Sequence, residues 1–315
     1  MRKKVVVLGG GTGMSSLLKG LKEFPVDITA VVSVCDDGRS TGRLREEFHV
    51  PAMGDIRQVL VSLAETEPLV EKLLNYRFNT TSDLNGHPIG NLLLTAMSNV
   101  AGNMSSAVEV LGKIFNLKGK IIPLTDDEIT LVGQMEDGSI IEGEHNITSY
   151  HSGIKNVYYK NHPNINEDVI NAIKEADLVL LSMGSIFTSI IPNLLCSEVI
   201  DTLDSSNVPI MYTCNIMTQP GETDNLTVSE HLDIINKYLG RRKVDVVVAN
   251  DGKISDEMIT KYETLEQKDP VILDKDKLKG VKVISNNYIT IDNEHLRHDT
   301  ILLSLDIFKY LITKK

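Results

Sequence analysis

Two stretches near the start of the chain hold the residue types best suited to chemistry. The first, Gly9-Gly10-Gly11-Thr12-Gly13, follows a short apolar run, Lys3–Leu8. Glycines let backbone N–H groups turn toward an anion, and a helix that begins there adds the positive end of its dipole. The spacing is not the dinucleotide fingerprint, since counting G-x-G from Gly9 puts Met14 where the last glycine would stand. It is not a Walker A loop either, since no Gly-Lys-Ser/Thr follows. The alternative is a tight strand–helix turn without a ligand. The second stretch is Cys35-Asp36-Asp37-Gly38-Arg39-Ser40-Thr41-Gly42-Arg43-Leu44-Arg45. An acid at the end of a second strand can accept from a sugar hydroxyl, and the adjacent carboxylates of Asp36 and Asp37 could hold Mg²⁺ beside a phosphate. The bland reading is an Asp-Gly turn and a solvated helix face with Arg43 and Glu47 paired at i, i+4.

Two further segments are weaker. Met53-Gly54-Asp55-Ile56-Arg57 reads as a helix start with Asp55 at the N-cap, and Arg57 is then either an anion contact or a surface residue. Gly86-His87-Pro88-Ile89-Gly90-Asn91 is a turn opening a helix, with Asn91 able to hydrogen-bond a ligand and His87 structural. The eight His form no pair at zinc spacing, and there is no G-x-S-x-G nucleophile elbow. Cys35, Cys196 and Cys214 are scattered, with no base nearby in sequence, so free thiols in a reducing compartment are expected.

These residues need elements to place them. Lys3–Leu8 and Ile28–Val34 are continuous β-branched runs, the pattern of strands buried on both faces, and Ser15–Glu23 between them has helical spacing. Together they make a βαβ unit. Helices are expected from Asp55, over Ile89–Val100, Asn166–Glu175, Pro192–Leu203, Thr227 to Gly240, Asp256–Glu266 and Asp299–Ile312. Thr227-Val228-Ser229-Glu230 is a capping box. Strands are expected at Asp177–Ser182, Val208–Thr213 and Val244–Ala249. Ile129–Met135 and Ser139–Glu144 flank Glu136-Asp137-Gly138 as a hairpin. The fold class is α/β: one doubly wound, Rossmann-like, three-layer α/β/α domain over residues 1–315. Its sheet is mainly parallel, and a small β-rich insertion is expected at about 118–160.

Composition narrows the function. The chain has 315 residues, 42% hydrophobic and 24% charged, and a net charge of −11, which disfavours nucleic acid or anionic lipid as a partner. Residues 1–60 carry nine basic against seven acidic side chains, so the remainder carries −13 and only the first segment could attract a small anion locally. No apolar run approaches a membrane span, and the N-terminal apolar run is too short for a secretory signal, so a cytoplasmic protein is expected. A homodimer is expected only from the frequency of two-fold assemblies.

Read in order, the motifs resemble those of the CofD-like/YvcK family. They are Gly9–Gly13, the Asp36-Asp37-Gly38-x-Ser40-x-Gly42-x-Leu44-Arg45 stretch, Gly54-Asp55-Ile56-Arg57 and Gly86–Asn91, followed by the run from Gly184 to Leu195, the run from Cys214 to Thr223, and Arg297-His298-Asp299. The match spans nearly the whole chain, and the Met-Thr-Gln-Pro-Gly-Glu-Thr segment with the late His-Asp places the resemblance nearest the bacterial YvcK branch, the gluconeogenesis factors. The resemblance implies a cytoplasmic protein needed for cell shape on gluconeogenic carbon sources, binding a UDP-sugar such as UDP-N-acetylglucosamine. The other branch, the 2-phospho-L-lactate transferases, implies a transferase that moves a phospholactyl group from a nucleoside diphosphate-linked donor with Mg²⁺. A scaffold with a degenerate pocket is the third expectation.

Carried over residue by residue, the resemblance makes Gly10, Gly11, Thr12 and Gly13 the diphosphate loop. Asp36, Asp37 and Ser40 become the second-strand acid motif, and Asn91 the asparagine after Gly-His-Pro. Gly184, Ser185, Thr188 and Asn193 form a second glycine loop, and Asn215, Thr218 and Gln219 the next strand-end loop. Tyr262 and Arg297 match late positions implicated in UDP-sugar binding. The family's Gly-Pro-Gly-Ser is here Ser182-Met183-Gly184-Ser185, a looser turn.

Overall fold

The computed structural model describes residues 2–150, 152–292 and 294–313. Its main sheet has seven parallel strands: β1 (Lys3–Gly9), β2 (Val26–Val32), β3 (Lys120–Pro123), β7 (Leu178–Leu181), β8 (Ile210–Thr213), β9 (Val246–Asn250) and β10 (Lys282–Asn286). A separate three-stranded sheet contains β4 (Leu131–Met135), β5 (Ile140–Glu142) and β6 (Ile154–Tyr159), and β11 (Ile289–Asp292) pairs antiparallel with β12 (His295–His298). The order of the main sheet is β10-β9-β8-β7-β1-β2-β3, every neighbouring pair parallel. Helices cover both faces, so the central strands lose their polar side altogether. Val5, Val7, Leu8, Leu178, Leu180 and Leu181 are sealed from solvent, which explains why their sequences are continuous apolar runs rather than alternating ones. This is the expected three-layer α/β/α architecture.

The chain runs outward from β1 through β2 to β3, then returns to β7 on the other side of β1 and proceeds to β10. The direction of winding therefore reverses between β1 and β7. Open parallel sheets leave a crevice at such a point beyond the carboxyl ends of their strands.

Several elements differ from the expectation. Lys120–Pro123 belongs to the main sheet, in register with Thr29–Val32, so the small sheet occupies only Leu131–Tyr159 rather than 118–160. A short helix, Glu144–Ser149, lies between β5 and β6. In place of one helix over Pro192–Leu203 the chain makes a π-turn at Ile186–Ile190, a 3₁₀ turn at Ile191–Leu194 and an α-helix at Ser197–Ser205. Asn193 accounts for part of this tight winding, because its amide reaches back to the Ser189 carbonyl at 2.9 Å. The helix opened by the Thr227–Glu230 capping box is complete at Asn236, before Gly240. The edge strand β10 and the β11–β12 hairpin come from a segment whose residues are only partly buried, so its apolar pattern is weak. Among the described residues no single helix is long and apolar enough to cross a membrane.

Candidate functional site

The carboxyl ends of β1 and β7 each run into a glycine turn, and the two turns touch. Gly10 precedes the Gly11–Leu21 helix. A Cβ on Gly13 would stand 2.2 Å from the carbonyl oxygen of Met183, so the two backbones meet with no room for a side chain. Gly11 itself sits at φ +64, in the left-handed region. Asn215, beyond β8, holds the second turn in place: its Nδ2 donates to the Gly184 carbonyl at 2.8 Å and its Oδ1 accepts from the Gly184 N–H at 2.9 Å. Asn193 ties the turns together from beneath, donating to the Gly9 carbonyl at 3.3 Å while fully buried.

Above these turns lies a cleft of about 470 Å³. Gly10, Gly11, Thr12, Gly13, Gly184 and Ser185 form its floor, and Thr188 and Ser189 continue it. One wall carries Asp36, Asp55, Gln58, Glu144 and Thr148, and the other Gln219, Pro220, Glu222 and Lys268. The hydroxyl of Ser185 accepts from the Thr188 N–H at 2.9 Å and donates to Glu222 Oε2 at 2.6 Å. The Oε1 of Gln219 is buried without a protein partner.

The cleft is strongly acidic, with four carboxylates against one lysine. Burial pushes the Asp55 carboxyl up to about 7, the charge of Asp36 adds to that, and the Gly11 N–H works against it. Burial raises Glu144 to about 8, again with Asp36 as the next contributor. Glu222 is raised to about 7 by burial, against the opposing pull of the Ser185 hydroxyl and the Phe187 N–H. Such crowding of acids beside backbone amides fits a phosphate ligand accompanied by a divalent cation. Mg²⁺ needs one or two carboxylates and takes its remaining positions from phosphates and water. Asp36 and Asp55 are the carboxylates that fit this, since both line the cleft beside the glycine turn. Among the described residues no group of three His, Cys, Asp or Glu forms an all-protein metal cage.

Asp36 and Asp37, read as neighbours in one metal site, point in different directions. Asp36 accepts from the Gly38 N–H at 3.0 Å and the Thr41 hydroxyl at 2.8 Å and stays in the cleft. Asp37 turns away and accepts from the N–H groups of Glu144 and His145 at 3.1 and 2.8 Å, capping the helix of the small sheet. Consecutive residues leaving a strand face opposite ways, and only one can enter the crevice. Asp55 does not cap its helix, which begins at Gly54 without a side-chain cap; its carboxyl lies against Gly10 instead.

Of the remaining sequence candidates, Ser40, Arg57 and Asn91 form a buried brace behind the acidic wall. Arg57 Nε donates to Asn91 Oδ1 at 3.0 Å and Nη1 to Asn75 Oδ1, Asn91 Nδ2 donates to Ser40 Oγ at 3.2 Å, and Ser40 Oγ is hydrogen-bonded to His87 Nδ1 at 2.8 Å. None of them lines the cleft. Thr218 is buried and bolted to Asp269 through its N–H and hydroxyl, both at 2.8 Å. Tyr262 is buried, its phenol oxygen accepting from the Leu296 N–H at 2.8 Å, while Arg297 is exposed outside the cleft. Burial raises Cys35, Cys196 and Cys214 to about 12, so none is a thiolate nucleophile at neutral pH. The cleft residues that sequence reasoning missed are Gln58, Glu144, Thr148, Ser189, Pro220, Glu222 and Lys268, with Asp55 assigned a different role. Glu222 lies in the recognised Cys214–Thr223 run, whereas nothing in the local sequence marks Glu144 or Lys268.

Comparison with known proteins identifies the family and the fold. The family model described as 2-phospho-L-lactate transferase CofD matches residues 5–289. The chain is 43% identical over 302 residues to the gluconeogenesis factor of Bacillus subtilis, covering 95% of each chain. It is likewise 43% identical to the gluconeogenesis factor of Halalkalibacterium halodurans, over 95% of this chain and 93% of that one. A crystal structure of a Bacillus halodurans protein superposes with a TM-score of 0.94 at 42% identity, covering 98% of this chain and 100% of that one. A second structure from that organism, described as a member of the UPF0052 family, gives a TM-score of 0.93 at 42% identity over 97% and 99% of the two chains.

Proposed function

This chain belongs to the CofD family, and from that premise we propose that it binds a nucleoside diphosphate, carried on a UDP-sugar of the UDP-N-acetylglucosamine type, with Mg²⁺. Its role on this reading is that of a cytoplasmic gluconeogenesis factor supporting cell shape on gluconeogenic carbon sources. The observation that carries the reading is the pair of abutting glycine turns at the carboxyl ends of β1 and β7, where the winding reverses. Backbone N–H groups at Thr12 and Gly13 meet the diphosphate beside the Gly11 N–H that Asp55 accepts from, with the positive end of the Gly11–Leu21 helix behind them. Asp36 and Asp55 would hold the cation, whose charge would offset that of the carboxylates around the phosphates. Glu222 fixes Ser185, and Asn215 fixes Gly184, so the second turn is held in shape by the protein's own side chains.

A second reading, a transferase of the 2-phospho-L-lactate type, draws on a different observation. Asp55 and Glu144 both face the cleft with carboxyl groups raised toward neutrality, which is where a general acid or base is useful. Calorimetry with UDP-N-acetylglucosamine, GDP, GTP and NAD, with and without Mg²⁺, tests the first reading, and turnover with a phospholactyl donor tests the second. Mg²⁺-dependent UDP-sugar binding without turnover supports the factor. Turnover abolished by Glu144→Gln supports the transferase, and absence of binding by any of the four leaves a scaffold.

A further inference from the structure

Lys268 is the one basic side chain among the residues lining this acidic cleft, and its position is built from three directions. The Asp256–Glu266 helix ends at Gln267, whose φ of +53 turns the chain sharply. The next residue, Lys268, then donates its N–H to the Tyr262 carbonyl at 3.3 Å. Asp269, one residue further on, is bolted to Thr218, which places Lys268 opposite Gln219 and Pro220. Its ammonium is held by Glu266 Oε2 at 2.7 Å.

Glu266 is shared. Its other oxygen lies 3.6 Å from His295 Nδ1, and the charge of Arg297 acts on it as well. Both come from β12, which Tyr262 fastens to the helix through the Leu296 N–H. Of the acids flanking Arg297 in sequence, Glu294 pairs with Lys261 at 3.3 Å, and Asp299 caps the last helix by accepting from the Leu302 N–H at 2.9 Å. The carboxylate that fixes the cleft's lysine thus also faces the hairpin's His295 and feels the charge of Arg297.

We propose that Lys268 contacts the distal anionic group of the bound ligand, the outer phosphate of a nucleoside diphosphate or its sugar ester, and that Glu266 sets how much of that charge is offered, with His295 and Arg297 as positioning residues. The proposal rests on the diphosphate reading above. When the ligand arrives, the ammonium is shared between Glu266 and a phosphate oxygen. His295 and Arg297 draw on Glu266 from behind and loosen its hold on Lys268. The β11–β12 hairpin therefore influences the ligand without touching it.

The test is calorimetry of the full chain with UDP and with inorganic pyrophosphate, both in Mg²⁺. Lys268→Met is expected to weaken both by about ten-fold or more, the loss of a charged hydrogen bond, while Lys268→Arg stays near wild type. Glu266→Gln, which frees the ammonium, is expected to tighten both a few-fold, and Arg297→Ala to weaken both. In a Lys268→Met background neither change should have a further effect, a coupling that a purely structural role would not produce. If Lys268→Met binds as wild type does while Gly11→Val abolishes binding, the lysine contact is wrong and the diphosphate reading stands. If Arg297→Ala still weakens binding without the lysine, the relay is wrong. If wild-type protein binds neither probe, both readings fall together. Melting curves for each variant separate loss of fold from loss of contact.

Discussion

At Gly11 the backbone occupies φ +64, a region that a β-branched residue enters only with strain, and its N–H opens the first helix beneath the cleft. Gly11→Val is expected to abolish binding of every diphosphate nucleotide alike, as read by calorimetry, since it disturbs the shared phosphate contact rather than the base. Gly13→Ala tests a different quantity. Its Cβ would lie 2.2 Å from the Met183 carbonyl, so the two turns must separate, and a chemical melt should show destabilisation of about 1–3 kcal/mol, the usual cost of overpacking. The same scale shows why Asp36 and Asp37 part company, because one carboxylate enters the cleft and its neighbour becomes a cap.

At the scale of elements, the small sheet contributes to the site through one short helix, Glu144–Ser149, which brings Glu144 and Thr148 to the acidic wall. Six residues do not hold a helix by themselves. Asp37, anchored after β2, supplies acceptors for its first two N–H groups. Asp37→Ala is expected to cost about 0.5–2 kcal/mol, the range for losing an N-cap acceptor. Hydrogen exchange should accelerate at residues 144–149 while the amides of β1 and β7 stay protected. Uniform acceleration across the sheet would show that Asp37 supports the whole fold instead.

The molecule as a whole carries a pH signature in the carboxyls of Asp55, Glu144 and Glu222. Folding raises Asp55 from an ordinary 3.8 to about 7, and Glu144 and Glu222 from 4.5 to about 8 and about 7 respectively. The folded state therefore binds more protons than the unfolded one between those limits. The stability this contributes is complete below 3.8, the lowest of the ordinary values, and is lost as pH rises through 7 and 8. His87, His231 and His298 act with the opposite sign, since burial lowers all three from 6.5, but their contribution is constant above that value. The melting temperature of the ligand-free protein is thus expected to fall between about pH 6.5 and 8.5. Glu144→Gln or Glu222→Gln should flatten that fall, and an unchanged slope in both variants would place the titration elsewhere.

The sequence by itself determined the layered fold and the floor of the cleft. Short, continuous β-branched runs are the pattern of strands buried on both faces, and glycines directly after such a strand mark where backbone approaches backbone or ligand. Local chemistry also sufficed for the Thr227–Glu230 capping box and the Asp256–Glu266 helix, because caps and helical spacing act within a few residues. Asp36 and Gln219 apart, tertiary structure decided the walls. Which of two adjacent aspartates faces the cleft depends on the helix of a sheet inserted about a hundred residues later, and Glu222 and Lys268 reach the same cavity from loops after β8 and β9. It also turned Arg57, Asn91 and Ser40 from candidate contacts into a brace, since their partners come from four separate segments. Side-chain direction at the end of a strand is set by what packs against it, and those neighbours are distant in sequence.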